Sequence, residues 1–245
     1  MDIIEATVLG LIVGLSGTVL GGVVIYRSGN SLSKQGWLLG FSGGIMVAVV
    51  LFDLWLEALH YGGIGLTLVG TAIGMALIHY FEFSLNLIPG YRRKKFSKAA
   101  RIGMLMGLGI GTHNFPEGVA LGTTFIANQA MSHWIGLAVI MAVHNIPEGM
   151  VMSSAFKLGK VPFYKIFIAL ILVEVPMALG STVGALLGKI SGVMVALSLA
   201  FAGGAMIYLV GKELIPAAKK MAGAFWVGSG FVFGLVAGIM FISII

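Results

Sequence analysis

The chain contains no cysteine. It therefore forms no disulfide and offers no thiolate to a soft metal ion, so a bound metal must use nitrogen, oxygen or thioether sulfur. Charged residues are also few, at 10% of the sequence, whereas hydrophobic residues make up 58% and the mean hydropathy is +1.04. Soluble domains do not have this composition. The composition predicts a protein of the lipid bilayer.

Apolar runs of about 20 residues, the length that crosses a bilayer as a helix, recur along the chain. There are eight, at residues 5–26, 36–57, 63–83, 101–126, 133–156, 163–187, 191–211 and 223–244. Almost no sequence remains for a soluble domain, and the first run is longer than the apolar core of a signal peptide, so we expect it to be retained. The sequence predicts an all-α integral membrane protein with a single eight-span domain over residues 1–245.

Lysine and arginine fall almost entirely on one side when successive loops are assigned to alternate sides of the membrane. Lys189 alone falls on the other side. The remaining fourteen are Arg27, Lys34, Arg92, Arg93, Lys94, Lys95, Lys98, Arg101, Lys157, Lys160, Lys165, Lys212, Lys219 and Lys220. Because cytoplasmic loops carry the excess of positive charge, this asymmetry predicts a cell membrane protein with both termini extracytoplasmic.

The net charge of +6 thus reflects orientation, and nucleic-acid binding is not expected. Residues 84–100 form a basic cytoplasmic loop between the third and fourth spans. This loop either contacts anionic lipid head groups or is a solvated loop that stabilises the orientation.

One six-residue pattern, His-Asn-x-Pro-Glu-Gly, occurs twice. The first copy occupies residues 113–118 and the second occupies residues 144–149, which is 31 residues later. Each copy lies within a strongly apolar run, where a histidine, an amide and a carboxylate are costly to hold. Ionisable residues at membrane depth are functional by default, so the repeated pattern predicts the functional site.

Histidine and glutamate are four residues apart in each copy, and so lie on one helical face about 6 Å apart along the axis. His113 with Glu117, or His144 with Glu148, has the spacing to hold one divalent ion. Imidazole and carboxylate are both good ligands for first-row divalent metals.

Further donors surround these pairs. Asn114 and Asn145 add neutral amide oxygens on an adjacent face, and the sixth span contains a third acid, Glu174. Glu117, Glu148 and Glu174 would repel one another in a low dielectric unless they were protonated or neutralised by cations. A metal centre removes this repulsion, most fully if two ions share bridging glutamates. The alternative is that these residues are polar pairs that hold helices together.

A second internal similarity has an offset of 160 residues. Residues 40–46 resemble residues 200–206, and the similarity extends to Asp53 opposite Glu213. It pairs the second span with the seventh, which run in opposite directions, as do the fourth and fifth. This pattern predicts an inverted repeat of three, two and three spans with a site near the midplane. The alternative is chance similarity, because glycine-rich helices resemble one another.

The paired strings, the Glu174-x-Pro176 pattern and the eight-span topology resemble the ZIP (Zrt/Irt-like) metal transporters along essentially the whole chain. The resemblance implies a carrier of divalent metals toward the cytoplasm, with Zn²⁺, Fe²⁺, Mn²⁺, Co²⁺ or Cd²⁺ as substrate and no catalytic cofactor. Its partners would be the cation and the lipid bilayer, with a homodimer as an open alternative.

The resemblance also implies a two-metal site. The first metal would bind His113, Glu117 and Glu148, with His144 and Met46 nearby. The second would bind Asn114, Asn145 and Glu174, with Glu117 and Glu148 bridging. Some relatives have an acid where Asn145 stands.

Six further polar residues fall near span ends. They are Asp53, Glu57 and His60 toward the outer side, and His79, Glu82 and Glu213 toward the cytoplasmic side. We interpret them as candidates for admitting or releasing cations, and the alternative is that they are helix ends that face water.

Two other functions remain open at this stage. An intramembrane metal-dependent hydrolase would use the same ligands to activate water, although the zinc-protease string His-Glu-x-x-His is absent. A proton-coupled carrier of an organic solute would need a larger polar lining. The duplicated and opposed motifs favour a metal carrier, not an enzyme.

Overall fold

The computed structural model describes residues 3–27, 31–87, 97–126, 131–187 and 192–244. These residues form helices and short turns, with no β-strand among them. The α-helices are α1 (Ile3–Arg27), α2 (Leu32–Val49), α3 (Trp55–Leu87), α4 (Lys98–Ile126), α5 (Met131–Leu158), α6 (Phe163–Leu187), α7 (Gly192–Leu209) and α8 (Ile215–Ile244). Two short π-helices, Val50–Leu54 and Val210–Leu214, connect α2 to α3 and α7 to α8. The predicted all-α class is confirmed.

The two runs that contain π-helices are longer than a bilayer is thick. One extends over residues 32–87 and the other over residues 192–244. Each is interrupted by one glycine with positive φ, Gly63 at 66° and Gly223 at 80°, a conformation that glycine adopts without steric cost. The second and seventh spans therefore continue as helix up to these glycines, past the ends that the apolar runs predict. Hydropathy misses these extensions because they are partly polar.

The apolar surface of the bundle identifies it as a membrane protein. Four of the described helical runs have the length and composition of a membrane span: Ile3–Arg27, Leu32–Phe81, Phe163–Leu186 and Gly192–Ile244. Large apolar side chains such as Ile64, Leu68, Phe225 and Phe233 are exposed on the outside of the bundle. Lipid contact explains so much exposed apolar surface, which a soluble monomer avoids.

The helices pack closely in pairs. α2 packs against α8 and α3 packs against α7, whereas α4 packs against α6 and α1 packs against α5. Both copies of the motif end in a glycine at such a contact. A Cβ on Gly118 of α4 would overlap the carbonyl of Met177 on α6, and a Cβ on Gly149 of α5 would overlap the carbonyl of Thr18 on α1. The two glycines thus bring α6 and α1 against the helices that carry the motif.

Part of the predicted basic loop lies outside the described residues. α3 continues as helix to Leu87 and α4 begins at Lys98, so residues 88–96 of the predicted loop 84–100 are the ones not described.

Candidate metal centre

The two copies of the motif lie in the middle of α4 and α5. Each helix continues through its proline, Pro116 in α4 and Pro147 in α5. Proline has no N–H, so the carbonyl four residues earlier lacks its helical partner. Both helices therefore present polar backbone beside the polar side chains of the motif.

Each histidine pairs with the glutamate of the other copy. His113 Nε2 lies 2.7 Å from Glu148 Oε1, and His144 Nε2 lies 3.1 Å from Glu117 Oε2. All four residues are fully buried. The four-residue spacing places His113 above Glu117 on one helix, but the contacts cross from α4 to α5. The crossed pairs join the two copies into one buried centre.

Glu174 of α6 extends this centre and is held at both carboxylate oxygens. Asn114 Nδ2 donates a hydrogen bond to Glu174 Oε2 at 3.0 Å and another to the carbonyl of Val173 at 3.3 Å. The Thr18 hydroxyl of α1 donates to Glu174 Oε1 at 2.5 Å. Hydrogen bonds to a carboxylate are stronger than those between neutral groups, so these contacts fix its position. Glu174 thereby links α1, α4 and α6.

Several nitrogen and oxygen atoms of the centre that could bind a metal are buried without a hydrogen-bond partner. They are Nδ1 of His113 and of His144, Oδ1 of Asn114 and of Asn145, Oε1 of Glu117 and Oε2 of Glu148. Buried polar atoms are rarely left unpaired, because each one loses its hydration without compensation. Imidazole nitrogen, carboxylate oxygen and amide oxygen together suit first-row divalent metals. A divalent cation is therefore a ligand whose chemistry matches these atoms.

The acids and histidines meet in pairs and do not surround one point. Among the described residues, no three or more His, Asp or Glu side chains converge as ready ligands. A cation bound by the unpartnered oxygens of both glutamates and by a histidine nitrogen would need these atoms to converge on one point. The geometry thus requires side chains to turn when a cation is bound.

Two predicted acids lead away from the centre along the first π-helix. Asp53 lies in Val50–Leu54 and is close enough to His144 and Glu117 to interact with both electrostatically. Glu57, one turn further along, interacts in the same way with Asp53. Both carboxylates are half-buried. The structure therefore brings these two candidates to the centre as a connected row of acids.

The remaining predicted residues have several different surroundings. Met46 is buried in the main apolar cluster, and His60 is exposed with its ring edge against Tyr61. His79 Nδ1 lies 2.9 Å from the hydroxyl of Tyr208, which joins α3 to α7. Glu213 is half-buried in the second π-helix. The side chain of Glu82 is outside the described residues.

Three residues of the centre were missed by sequence reasoning. Thr18 bonds to Glu174, Met177 Sδ lies 3.9 Å from Asn145 Nδ2, and Gly14 leaves space that a Cβ would take from the Glu174 carboxylate. Each lies in an apolar run, and the sequence pattern of that run does not distinguish a residue of the centre from an ordinary packing residue. Thr18 is fully buried whereas nearby Ser16 is exposed, yet in the sequence each is simply a hydroxyl-bearing residue among the apolar residues of α1.

Comparison with known proteins places the chain in a family. The family model described as ZIP Zinc transporter matches residues 90–245. Zinc transporter GufA of Myxococcus xanthus is 36% identical over 165 residues, which are 63% of this chain and 61% of that protein. The matched stretch thus spans less than two thirds of the length of that relative.

Two other relatives match more of the chain. Zinc transporter ZupT of Stenotrophomonas maltophilia (strain R551-3) is 30% identical over 82% of this chain and 79% of its own length. Zinc transporter ZIPB of Bordetella bronchiseptica is 31% identical over 85% of this chain and 71% of its own length. The resemblance that the paired motifs indicate is confirmed, and the chain belongs to the ZIP zinc transporter family.

Proposed function

We propose that the chain carries divalent transition-metal cations, zinc foremost, across the membrane toward the cytoplasm. The observation that carries this proposal is the buried centre in which His113 and Glu148 pair across α4 and α5 and His144 pairs with Glu117. The relatives' names, which describe zinc transporters, favour zinc among the metals that these ligands accept.

The metal would be held by the residues of this centre in two adjoining halves. We assign His113, Glu117, His144 and Glu148 to the first half, with Met46 as a neighbouring thioether, and Asn114, Asn145 and Glu174 to the second, with both motif glutamates shared. Glu117, Glu148 and Glu174 are all fully buried, which supports the assignment because a divalent cation offsets the repulsion between carboxylates.

We further propose that the chain is a single domain of eight spans arranged as an inverted repeat of three, two and three. The two π-helices, Val50–Leu54 and Val210–Leu214, are related by the predicted offset of 160 residues. The helix breaks at Gly63 and Gly223 are related by the same offset. The packing of α1 on α5 has its counterpart in the packing of α6 on α4.

Backbone contacts between helices repeat with this offset too. A Cβ on Gly44 of α2 would overlap the carbonyl of Phe231 on α8, and a Cβ on Gly204 of α7 would overlap that of Thr71 on α3. Gly44 and Gly204 are 160 residues apart, and so are Thr71 and Phe231, so the offset relates the first contact to the second. Such reciprocity favours a structural repeat over chance similarity of glycine-rich helices.

The cation would approach the centre from the outer side of a cell membrane in which both chain termini are extracytoplasmic. Asp53 and Glu57 lead toward His144, and a cavity of about 200 Å³ borders the same histidine from between α2, α5 and α8. An inside-negative potential favours inward movement of a divalent ion by about 4.6 kcal/mol per 100 mV, which is twice the value for a single charge. No coupled hydrolysis of a nucleotide is needed for this direction.

Release requires a conformational change. On the cytoplasmic side of Glu148, the space between α2, α4, α5, the second π-helix and α8 is a cavity of only about 40 Å³. Its lining is almost entirely apolar and includes Leu39, Met106 and Leu214. We propose that α1, α4, α5 and α6 move as a group against α2, α3, α7 and α8, which separates these side chains and lets the cation pass Glu213 to the cytoplasm.

Zinc uptake into proteoliposomes tests the proposal. We compare the wild type with Glu148→Ala under an imposed zinc gradient, with matched reconstitution and folding checked for each protein. Glu5→Gln is the control, because it changes an exposed acid at the start of α1. We expect the wild type and the control to accumulate zinc and Glu148→Ala to remain at the level of empty liposomes. Uptake by Glu148→Ala at the wild-type rate would refute the assignment of the centre.

A further inference from the structure

Met177 places a thioether sulfur beside the metal centre. It lies on α6 three residues after Glu174 and is fully buried. Its Sδ is 3.9 Å from Asn145 Nδ2, so the amide directs an N–H toward the sulfur. The thioether is therefore a polar contact of the centre as well as an apolar side chain.

The same sulfur adjoins the Glu174 carboxylate. A Cβ on Gly14 would lie 3.0 Å from Met177 Sδ and would overlap Glu174 Oε2. Both atoms thus pack against Gly14, where a side chain would not fit. The sulfur, the carboxylate and the Asn145 amide are therefore neighbours where α1, α5 and α6 meet.

Asn145 completes this group with an oxygen. Its Oδ1 is buried and has no hydrogen-bond partner, whereas its Nδ2 points toward the sulfur. Rotation of the amide by half a turn exchanges the two atoms and brings Oδ1 beside Met177 Sδ. A cation there would then meet one carboxylate, one neutral amide oxygen and one thioether.

From this geometry we infer that Met177 is a metal ligand of the Asn145–Glu174 half and biases that half toward softer divalent cations. The inference rests on the proposed function, since it adds a ligand to the same centre. Thioether sulfur is a soft ligand, and Asn145 contributes no charge that would favour a hard ion. Methionine is flexible enough to turn its sulfur toward an ion without moving the helix.

X-ray absorption of bound Cd²⁺ in the purified full-length chain tests the inference directly. The chain contains no cysteine, so any cadmium–sulfur scattering comes from methionine. The measurement uses a Met46→Leu background, which removes the other thioether candidate and keeps side-chain volume nearly constant. Met177→Leu and Met141→Leu are then compared in that background. Met141 is a matched control because it packs in the same small apolar cluster as Met177.

We expect cadmium–sulfur scattering in the Met46→Leu protein and in its Met141→Leu derivative, and its loss in the Met177→Leu derivative. In zinc uptake by otherwise wild-type protein, Met177→Leu should raise the Cd²⁺ concentration needed for half-inhibition by about tenfold, the lower end of the range for loss of a supporting residue at a metal site. Met141→Leu should leave that concentration unchanged.

Two results would overturn the inference. One is cadmium–sulfur scattering that survives Met177→Leu, and the other is its absence from the Met46→Leu protein. Because scattering reports binding and not transport, either result leaves the uptake test of Glu148→Ala unaffected. Conversely, failure of zinc uptake in the wild type would refute the carrier without changing what the scattering shows.

Discussion

At the scale of single residues, the position of Glu174 depends on side chains from two other helices. Thr18 of α1 and Asn114 of α4 each donate to one of its oxygens. Residues that hydrogen-bond a metal-binding carboxylate orient it and raise metal affinity, even though they do not touch the metal. The hydroxyl of Thr18 should therefore affect zinc transport indirectly, because it orients the Glu174 carboxylate.

Replacing Thr18 by valine removes this hydroxyl at nearly constant volume. We expect zinc uptake at low zinc concentration to fall by about tenfold, because a carboxylate without its partner is less well oriented. Stability should fall by about 1.5–3 kcal/mol, the range for a hydrogen bond to a charged group. Initial uptake rates and thermal unfolding in detergent measure the two effects.

Thr7→Val is the matched control for this prediction. Thr7 also joins α1 to α6, through a hydroxyl contact of 2.7 Å with Thr182, but it lies about three turns away from Thr18. Its replacement should leave uptake unchanged. Equal losses of uptake in both variants would mean that the α1–α6 contact matters and that Thr18 has no specific role.

At the scale of helices, the glycine that ends each motif copy determines how closely the neighbouring helix can approach the site. Gly149 brings α5 against the backbone of α1, and Gly118 brings α4 against that of α6. The residues that these contacts bring in are Thr18 and Met177. The motif thus supplies both the proposed ligands and the close packing that positions their neighbours.

Gly149→Ala should separate α5 from α1. The added methyl would overlap the carbonyl of Thr18, so we expect a loss of about 1–3 kcal/mol in stability, as for other overpacked cores, together with reduced zinc uptake. Thermal unfolding and proteoliposome uptake measure both.

Gly228→Ala provides the comparison within α8. An added Cβ there meets nothing within 4 Å, and alanine is the better helix former by about 0.5–1 kcal/mol. This variant should be as stable as the wild type or more stable, with normal uptake. Wild-type stability of Gly149→Ala would show that the α1–α5 contact yields easily and does not position the site.

At the scale of the whole molecule, membership in the ZIP zinc transporter family supports the proposal of a metal carrier. The three relatives described above are all named as zinc transporters. The distribution of charge further predicts that both termini of this chain lie outside the cell.

Single cysteines test this orientation, because the wild-type chain has none of its own. His60→Cys and Ser33→Cys each place a thiol at an exposed position, the first before the helix break at Gly63 and the second at the start of α2. A membrane-impermeant maleimide should label His60→Cys in intact cells and should label Ser33→Cys only after permeabilisation. The reverse pattern would invert the topology and the proposed direction of transport.

Much of this protein could be predicted without coordinates. Composition determined its place in the bilayer, since apolar runs cannot be buried in so small a soluble core, and the family followed from the paired motifs. The motif also identified the buried His113, Asn114 and Glu117 and their counterparts, because polar residues at membrane depth stand out against an apolar background.

Helical periodicity, in contrast, specifies only which residues share a face of one helix. It placed His113 with Glu117, whereas the structure pairs His113 with Glu148 of α5. Tertiary packing alone decided those crossed pairs, the hydrogen bond from Thr18 to Glu174 and the approach of Met177 to Asn145. The physical reason is that contacts between helices depend on the register and spacing of segments that are distant in the sequence. Close backbone packing at small residues sets this register and spacing, and local sequence does not encode them.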